Sequence, residues 1–241
     1  MAKIRLDKFV SSQLNITRTD AKKLIRSKSV SVNEKPALKA DVQLDTTLDV
    51  VKINGRVVEY KEFVYIMLNK PKGVVSATED ASDVTVVDIL PENLKRNGLF
   101  PAGRLDKNTT GFVLITDDGN FAHNILSPAH HVPKTYIVDV EREVTEAEYK
   151  LFFEGMLIGE EKFKPAVLEF IESVPASGCS RYKIIITEGR YHQIKRMFGS
   201  TGNAVVELER IAIGGLPLDS SLEYGEAREL TQKDIELLKS F

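Results

Sequence analysis

The chain opens with Leu6, Phe9, Val10 and Leu14 at helical spacing among polar positions, a stripe of period 3.6 that predicts a first helix. Thr17 followed by Asp20 is a variant of the capping box, and it opens a second predicted helix through Ala21, Leu24 and Ile25. The period then changes from 3.6 to 2. Val30-Ser31-Val32 and Leu48 to Val51 read as short strands, and Asn54-Gly55 before Arg56-Val57-Val58 is a hairpin signal, because both turn residues tolerate positive φ. A compact αα-β unit is expected to end near residue 60, with residues 1–60 forming one domain and residues 61–241 a second.

Beyond that boundary apolar runs alternate with turns that carry Gly and Pro. Phe63 to Asn69 precedes Lys70-Pro71-Lys72-Gly73, and Phe112 to Thr116 precedes Asp117-Asp118-Gly119. Further strands are predicted at Lys134 to Val140, Ala166 to Glu172, Arg181 to Thr187 and Ala204 to Ile211, interrupted by helices near 120–126, 145–154, 191–199 and 232–240. The expected class is α+β: a small N-terminal αα-β module, then a larger domain on a mixed, mainly antiparallel sheet with flanking helices. A length of 241 residues accommodates two such domains.

The longest apolar run, Phe63 to Leu68, holds six residues, where roughly 20 are needed to cross a bilayer, so no membrane partner is expected. The opening residues lack the apolar segment of a signal peptide, and Cys179, the one cysteine, cannot form an intrachain disulfide; the reducing cytoplasm is the expected home. One Cys and four His without zinc-site spacing give no reason to expect a metal.

Charge sharpens the boundary. The net charge of −2 divides into 12 Lys and Arg against 7 Asp and Glu in residues 1–60, a net of +5, and 21 against 28 in residues 61–241, a net of −7. Residues 1–40 alone hold 10 basic and 3 acidic side chains, the balance of a module that binds a polyanion.

Two segments concentrate candidate chemistry. Gly103-Arg104-Leu105-Asp106-Lys107-Asn108-Thr109-Thr110-Gly111 is a polar loop between apolar stretches, the kind of place where catalytic side chains gather. Taken alone, Asp106 is as well suited to an Asx turn as to catalysis. An aspartic-protease reading fails for want of any Asp-Thr-Gly, and a phosphorylated-aspartate ATPase reading fails because Asn108 interrupts the motif and no membrane span accompanies it. The second segment, Thr187-Glu188-Gly189-Arg190-Tyr191-His192-Gln193-Ile194-Lys195-Arg196-Met197-Phe198, reads as a strand passing through a turn at Gly189 into a helix. Tyr191, Ile194 and Phe198 are expected to form its buried stripe, with His192, Lys195 and Arg196 on the polar face; a merely solvated basic face has the same pattern. Ser127 with His130 and His131 does not form a hydrolase motif, since Pro128 follows the serine directly, and Cys179 in Ser177-Gly178-Cys179 is read as incidental.

Residues 3–58 resemble the S4 RNA-binding domain through the Arg-Leu-Asp-Lys start, the Thr-Arg-x-x-Ala-x-x-Leu-Ile helix and the Val-x-Val-Asn turn. That resemblance implies RNA contacts from Arg5, Lys8, Arg18, Lys22 and Arg26. It departs at Lys28 and Glu34, where the S4 domain usually has Gly and the backbone often needs positive φ.

Gly103-Arg104-Leu105-Asp106, Lys134-Thr135-Tyr136 and the Gly189 to Phe198 segment together resemble the pseudouridine synthases of the RsuA-like family, over roughly residues 63–230. The resemblance implies isomerisation of a specific uridine to pseudouridine in ribosomal RNA without a cofactor. It implies Asp106 as the required acid, Lys195 as its ion-pair partner, Tyr136 as the stacking face for the flipped uracil and Arg104 as the group filling the space the nucleotide leaves. Arg190, His192 and Arg196, together with Lys70 and Lys72 at a strand end, are expected to contact RNA. The wording Tyr-His-Gln-Ile-Lys-Arg-Met-Phe is most similar to synthases acting on small-subunit 16S rRNA; a large-subunit 23S enzyme, whose branch more often places Arg where Lys195 stands, is the alternative. An inactive RNA-binding protein is a further alternative, against which Asp106 counts, because an acid in an RNA-facing loop repels phosphate. The expected partner is ribosomal RNA or an assembling ribosomal subunit, and the expected state is a monomer.

Overall fold

The structure, a computed structural model, describes residues 3–127, 130–174 and 178–240. Pro128 and Ser177, which enter the hydrolase and cysteine readings above, lie outside the described residues. The chain divides into two compact units, one running to Phe63 and including Lys95–Gly98, the other comprising Val64–Leu94 and the residues from Leu99 on.

In the first unit the helices Leu6–Gln13 and Arg18–Arg26 bury Leu6, Phe9, Val10, Ala21 and Ile25 in one cluster with Val30, Leu44, Val51 and Ile53. Thr17 caps the second helix, its hydroxyl oxygen accepting from the Asp20 N–H at 3.1 Å. The antiparallel sheet runs Lys35–Pro36, Val30–Val32, Val51–Ile53, Arg56–Val58. The strand expected at Leu48 to Val51 starts three residues later. Asp49 accepts from the Asp45 N–H and from Asn33 Nδ2, each at 2.7 Å, and so commits residues 45–49 to a turn. Asn54 and Gly55 have φ of 50° and 78°, as a two-residue hairpin of the I′ type requires. Lys28 and Glu34, at 61° and 65°, take the left-handed backbone despite their side chains, at a cost of about 1 kcal/mol each.

The larger unit is built on a nine-stranded sheet. Its main path runs Val167–Val174, Cys179–Ile186, Lys134–Val140, Val205–Ile213, Thr110–Thr116, Tyr65–Lys70, Ala227–Glu229. Neighbours pair antiparallel except Val205–Ile213 with Thr110–Thr116, which align Arg210 with Gly111 in parallel. A Cβ at Gly111, where φ is 94°, would lie 2.3 Å from the Arg210 carbonyl oxygen, so only glycine closes this junction. Within the strands Tyr65–Lys70 and Thr110–Thr116, residues 65–68 and 112–115 read as unbroken apolar runs because both faces are covered. Ile66, Leu68, Val113 and Ile115 enter one core with Tyr136, Val138, Ile184, Ile194 and Phe198, while Met67, Phe112 and Leu114 enter another with Phe121, Ile125, Ile213 and Leu238. The sheet is mixed and mainly antiparallel, as the sequence predicts.

The helix expected at 191–199 is Gln193–Ser200. His192 has φ 49°, which stops the helix short of Tyr191, and Tyr191 is 76% exposed rather than part of the stripe. The buried face is Ile194, Met197 and Phe198. No helix among the described residues is long and apolar enough to cross a membrane.

Candidate active site

The loop that follows Phe100–Pro101 is held in shape from below by two groups remote in sequence. Ser76 and Leu105 exchange hydrogen bonds, Leu105 N–H to Ser76 Oγ at 3.0 Å and Ser76 Oγ–H to the Leu105 carbonyl at 3.1 Å. Lys70 is fully buried, and its ammonium donates to the carbonyls of Pro71, Lys107 and Thr109 at 3.0, 3.0 and 2.8 Å. Burial pushes its pKa down to about 8, against the negative charge of Asp106, which favours the ammonium. The expectation that Lys70 touches phosphate is corrected: all three donors are spent on backbone oxygens, two of them in the Asp106 loop. Lys72 is half-exposed, reaches Glu207 Oε1 at 2.6 Å and does not line the cleft described next.

Arg104, Asp106, Thr109, Tyr136, Arg190, His192 and Lys195 line one open cleft with Leu105, Ile186, Ile194 and Leu208. Lys195 Nζ lies 2.8 Å from Asp106 Oδ2, and His192 Nε2 lies 3.3 Å from Asp106 Oδ1. The Asp106 side chain keeps 26% of its surface open. A carboxylate offers about four lone-pair directions, so these two contacts leave acceptor capacity facing the cleft.

Tyr136 is 7% exposed while lining the cleft, and the Arg210 guanidinium carbon lies 6.0 Å from its ring centroid. Arg210 is itself buried, its Nε–H donating to the Phe112 carbonyl at 2.7 Å. Lys134, from the same motif as Tyr136, is buried with its ammonium on the carbonyls of Val132 and Ile125; burial, with the Arg210 charge adding, pushes its pKa down to about 8.

The turn that carries His192 is braced by Glu188 and Gln193, both 4% exposed. Glu188 Oε1 accepts from Gln193 Nε2 and from the Lys164 N–H, each at 2.9 Å, and Gln193 Oε1 accepts from the Arg190 N–H at 3.2 Å. Arg190 donates to Glu188 Oε2 at 3.3 Å, and Arg196 to Glu161 Oε2 at 2.5 Å, with both guanidinium groups against the buried Phe163 ring. Arg196 thus ties its helix to the Met156–Ile158 and Glu161–Phe163 hairpin and is not a cleft residue. Both bracing residues stand inside the motif, where a polar side chain on the buried side of an amphipathic helix start is the sequence signal for such a role. Among the described residues no three His, Cys, Asp or Glu side chains converge on a point that could hold a metal ion.

In the first unit Lys8, Lys22 and Arg26 are exposed. Arg5 and Arg18 are engaged with Asp7, at 3.1 and 3.0 Å.

Comparison with known proteins accounts for both units. Residues 64–200 match the RNA pseudouridylate synthase family and residues 4–50 the S4 domain. The RNA pseudouridine synthase YtzG of Bacillus subtilis is 42% identical over 236 residues, 98% of each chain. The ribosomal small subunit pseudouridine synthase A of Escherichia coli is 42% identical over 234 residues, 96% of this chain and 98% of its own. A pseudouridylate synthase crystal structure superposes with a TM-score of 0.66 at 40% identity, covering 98% of this chain and 99% of the other. With the cleft, the sheet and the matched segments in agreement over nearly the whole length, the chain belongs to the RNA pseudouridylate synthase family, carries an S4 domain, and converts uridine to pseudouridine in RNA.

Proposed function

We propose that the substrate is ribosomal RNA and that the modified uridine lies in the 16S RNA of the small subunit. The reading is supported by relatives from Escherichia coli and Haemophilus influenzae named ribosomal small subunit pseudouridine synthase A, 42% and 41% identical across nearly the full chain. Lys195, where the large-subunit branch more often has Arg, points the same way. The RNA is met as naked RNA or in an assembling subunit, by a monomer.

In this reading Asp106 acts on the ribose of the target nucleotide while the bond from C1′ to N1 breaks and a bond from C1′ to C5 forms. The C5 proton is released and N1 gains one, so atoms balance without a cofactor. Whether as nucleophile or base, the carboxylate acts in its ionised form, and Lys195 Nζ holds it in place at 2.8 Å. Tyr136 offers a flat, immobilised face to the base. Arg104, exposed on the same loop, fills the space left when the nucleotide swings out, since chemistry on a stacked base requires its extrusion. Residues 1–60 form the RNA-binding domain that adds phosphate affinity, and residues 61–241 the catalytic domain.

The observation that carries the reading is the Asp106 carboxylate, held by Lys195 yet open to a cleft that also presents Tyr136. Mapping of pseudouridines in ribosomal RNA from cells with and without the protein tests the substrate. Loss of one site in 16S RNA is the expected result; loss confined to 23S RNA overturns it.

A further inference from the structure

We infer that His192 is a positioning residue for Asp106, fixing the plane of its carboxylate, rather than the RNA contact its place in the basic motif suggests. The inference rests on the reading of Asp106 as the reacting acid. The second torsion of an aspartate is broad, so one ion pair, from Lys195 to Oδ2, holds an oxygen without fixing the rotation of the group. His192 Nε2 stands 3.3 Å from Oδ1, and this second contact, on the other oxygen, restricts that rotation.

The local backbone shows what this contact displaces. His192 is the N-cap of the Gln193–Ser200 helix, yet its side chain makes no capping hydrogen bond, whereas Thr17, Asp118, Thr145 and Thr231 each accept from their own helix. Its φ of 49° and ψ of 33° are left-handed, unfavourable for a bulky side chain, and such strain persists where surroundings enforce it. They do so on both sides. Tyr191 stacks on the imidazole with centroids 3.8 Å apart at 19°, and Gln193 is anchored to the buried Glu188.

Reach and backbone preference can be separated by two amides in the full-length enzyme. The Gln amide nitrogen extends about as far as His Nε2, while Asn stops a bond short but suits the left-handed backbone better. With ribosomal RNA from cells lacking the protein as substrate, H192N is expected to lose kcat by about 10- to 100-fold, the scale of a misplaced catalytic group. H192Q should stay within about fivefold of wild type, and both should bind RNA within about twofold of wild type. Asn turning over as well as Gln, or better, would overturn the inference, as would a loss appearing in RNA affinity with kcat unchanged. Asp106→Asn run alongside keeps the two claims apart. Should that variant remain active, the reading of Asp106 fails; should it be inactive while H192N matches wild type, only the role of His192 fails.

Discussion

Asp7 in the first unit and Asp106 in the second are each held by two basic side chains, with opposite consequences. Asp7 takes both oxygens of its carboxylate to the Arg5 fork, at 3.1 Å each, and a third hydrogen bond from Arg18 at 3.0 Å. Its side chain is 1% exposed. The Arg5 hydrogen bonds, working against burial and joined by Arg18, hold its carboxyl down at about 2. Asp106 has one contact each from the Lys195 ammonium and the His192 ring, with no guanidinium fork, and stays 26% exposed. The same ingredients therefore make a strut in one place and leave a reagent in the other. Burial and donor shape decide the difference.

The comparison breaks most visibly at Asp106. Asp106→Asn keeps the shape and removes the charge, and we expect turnover to fall by about a thousandfold or more, the scale seen when a group acting on the reacting atoms is removed. Its thermal unfolding and RNA affinity should match wild type. Activity at a tenth of wild type or above would remove Asp106 from the reaction. Lys195→Met should cost about a hundredfold in kcat, because the carboxylate loses the ion-pair partner at 2.8 Å that holds it in place. Lys195→Arg should retain more, although a guanidinium fork would draw Asp106 towards the saturated geometry of Asp7. Equal turnover by the Met and Arg variants would exclude the ion pair from the mechanism.

Much of the frame was legible because it rests on local alternation. Lys134–Val140 has the predicted ends, its buried Tyr136 and Val138 set off by part-exposed Thr135 and Ile137. Pairings set by distant partners were not legible. Lys3–Arg5 becomes a strand only through Gln43–Asp45, and the hairpin of Met156–Ile158 with Glu161–Phe163 is three residues on each side, too short for a period to show. In the cleft, the residues legible through motif wording were those whose type is the signal. What failed was exposure. A sequence displays the charge of Lys70 but not the carbonyls of Lys107 and Thr109 that enclose it, 37 and 39 positions away. It likewise places His192 beside Lys195 on a helix face, whereas the contact with Asp106 depends on the left-handed backbone just before that helix.

The strut should respond inversely to the reagent. Asp7→Asn is expected to leave kcat at saturating RNA unchanged and to destabilise the first unit by about 2 kcal/mol at pH 7, the worth of a carboxyl lowered from about 3.8 to about 2. A carboxyl with a depressed folded-state pKa contributes stability that is present above about pH 4 and lost as pH falls towards about 2. Denaturant unfolding of wild type and Asp7→Asn across that window should show the gap closing with acid. A gap of the same size at pH 2 and pH 7 would mean that the carboxylate charge is not what holds the helices.

The smallest effect concerns the basic side chains that neither aspartate occupies. Lys8, Lys22 and Arg26 are exposed in the first unit and remote in sequence from the cleft motifs. If the residue 1–60 module attracts RNA through phosphates, replacing all three by Gln removes up to three phosphate contacts. Each contributes roughly 0.7 to 0.9 to the slope of log K against log salt. We expect the slope to flatten by about 2 and affinity at moderate salt to weaken several-fold. The kcat at saturating RNA should remain that of wild type, because Asp106, Lys195 and His192 are untouched. An unchanged slope would show that these side chains do not meet phosphate, and the polyanion reading of the basic N-terminal module would have to pass to Arg5 and Arg18. Binding would then compete with the Asp7 strut, and Asp7→Asn would tighten RNA binding instead of leaving it alone.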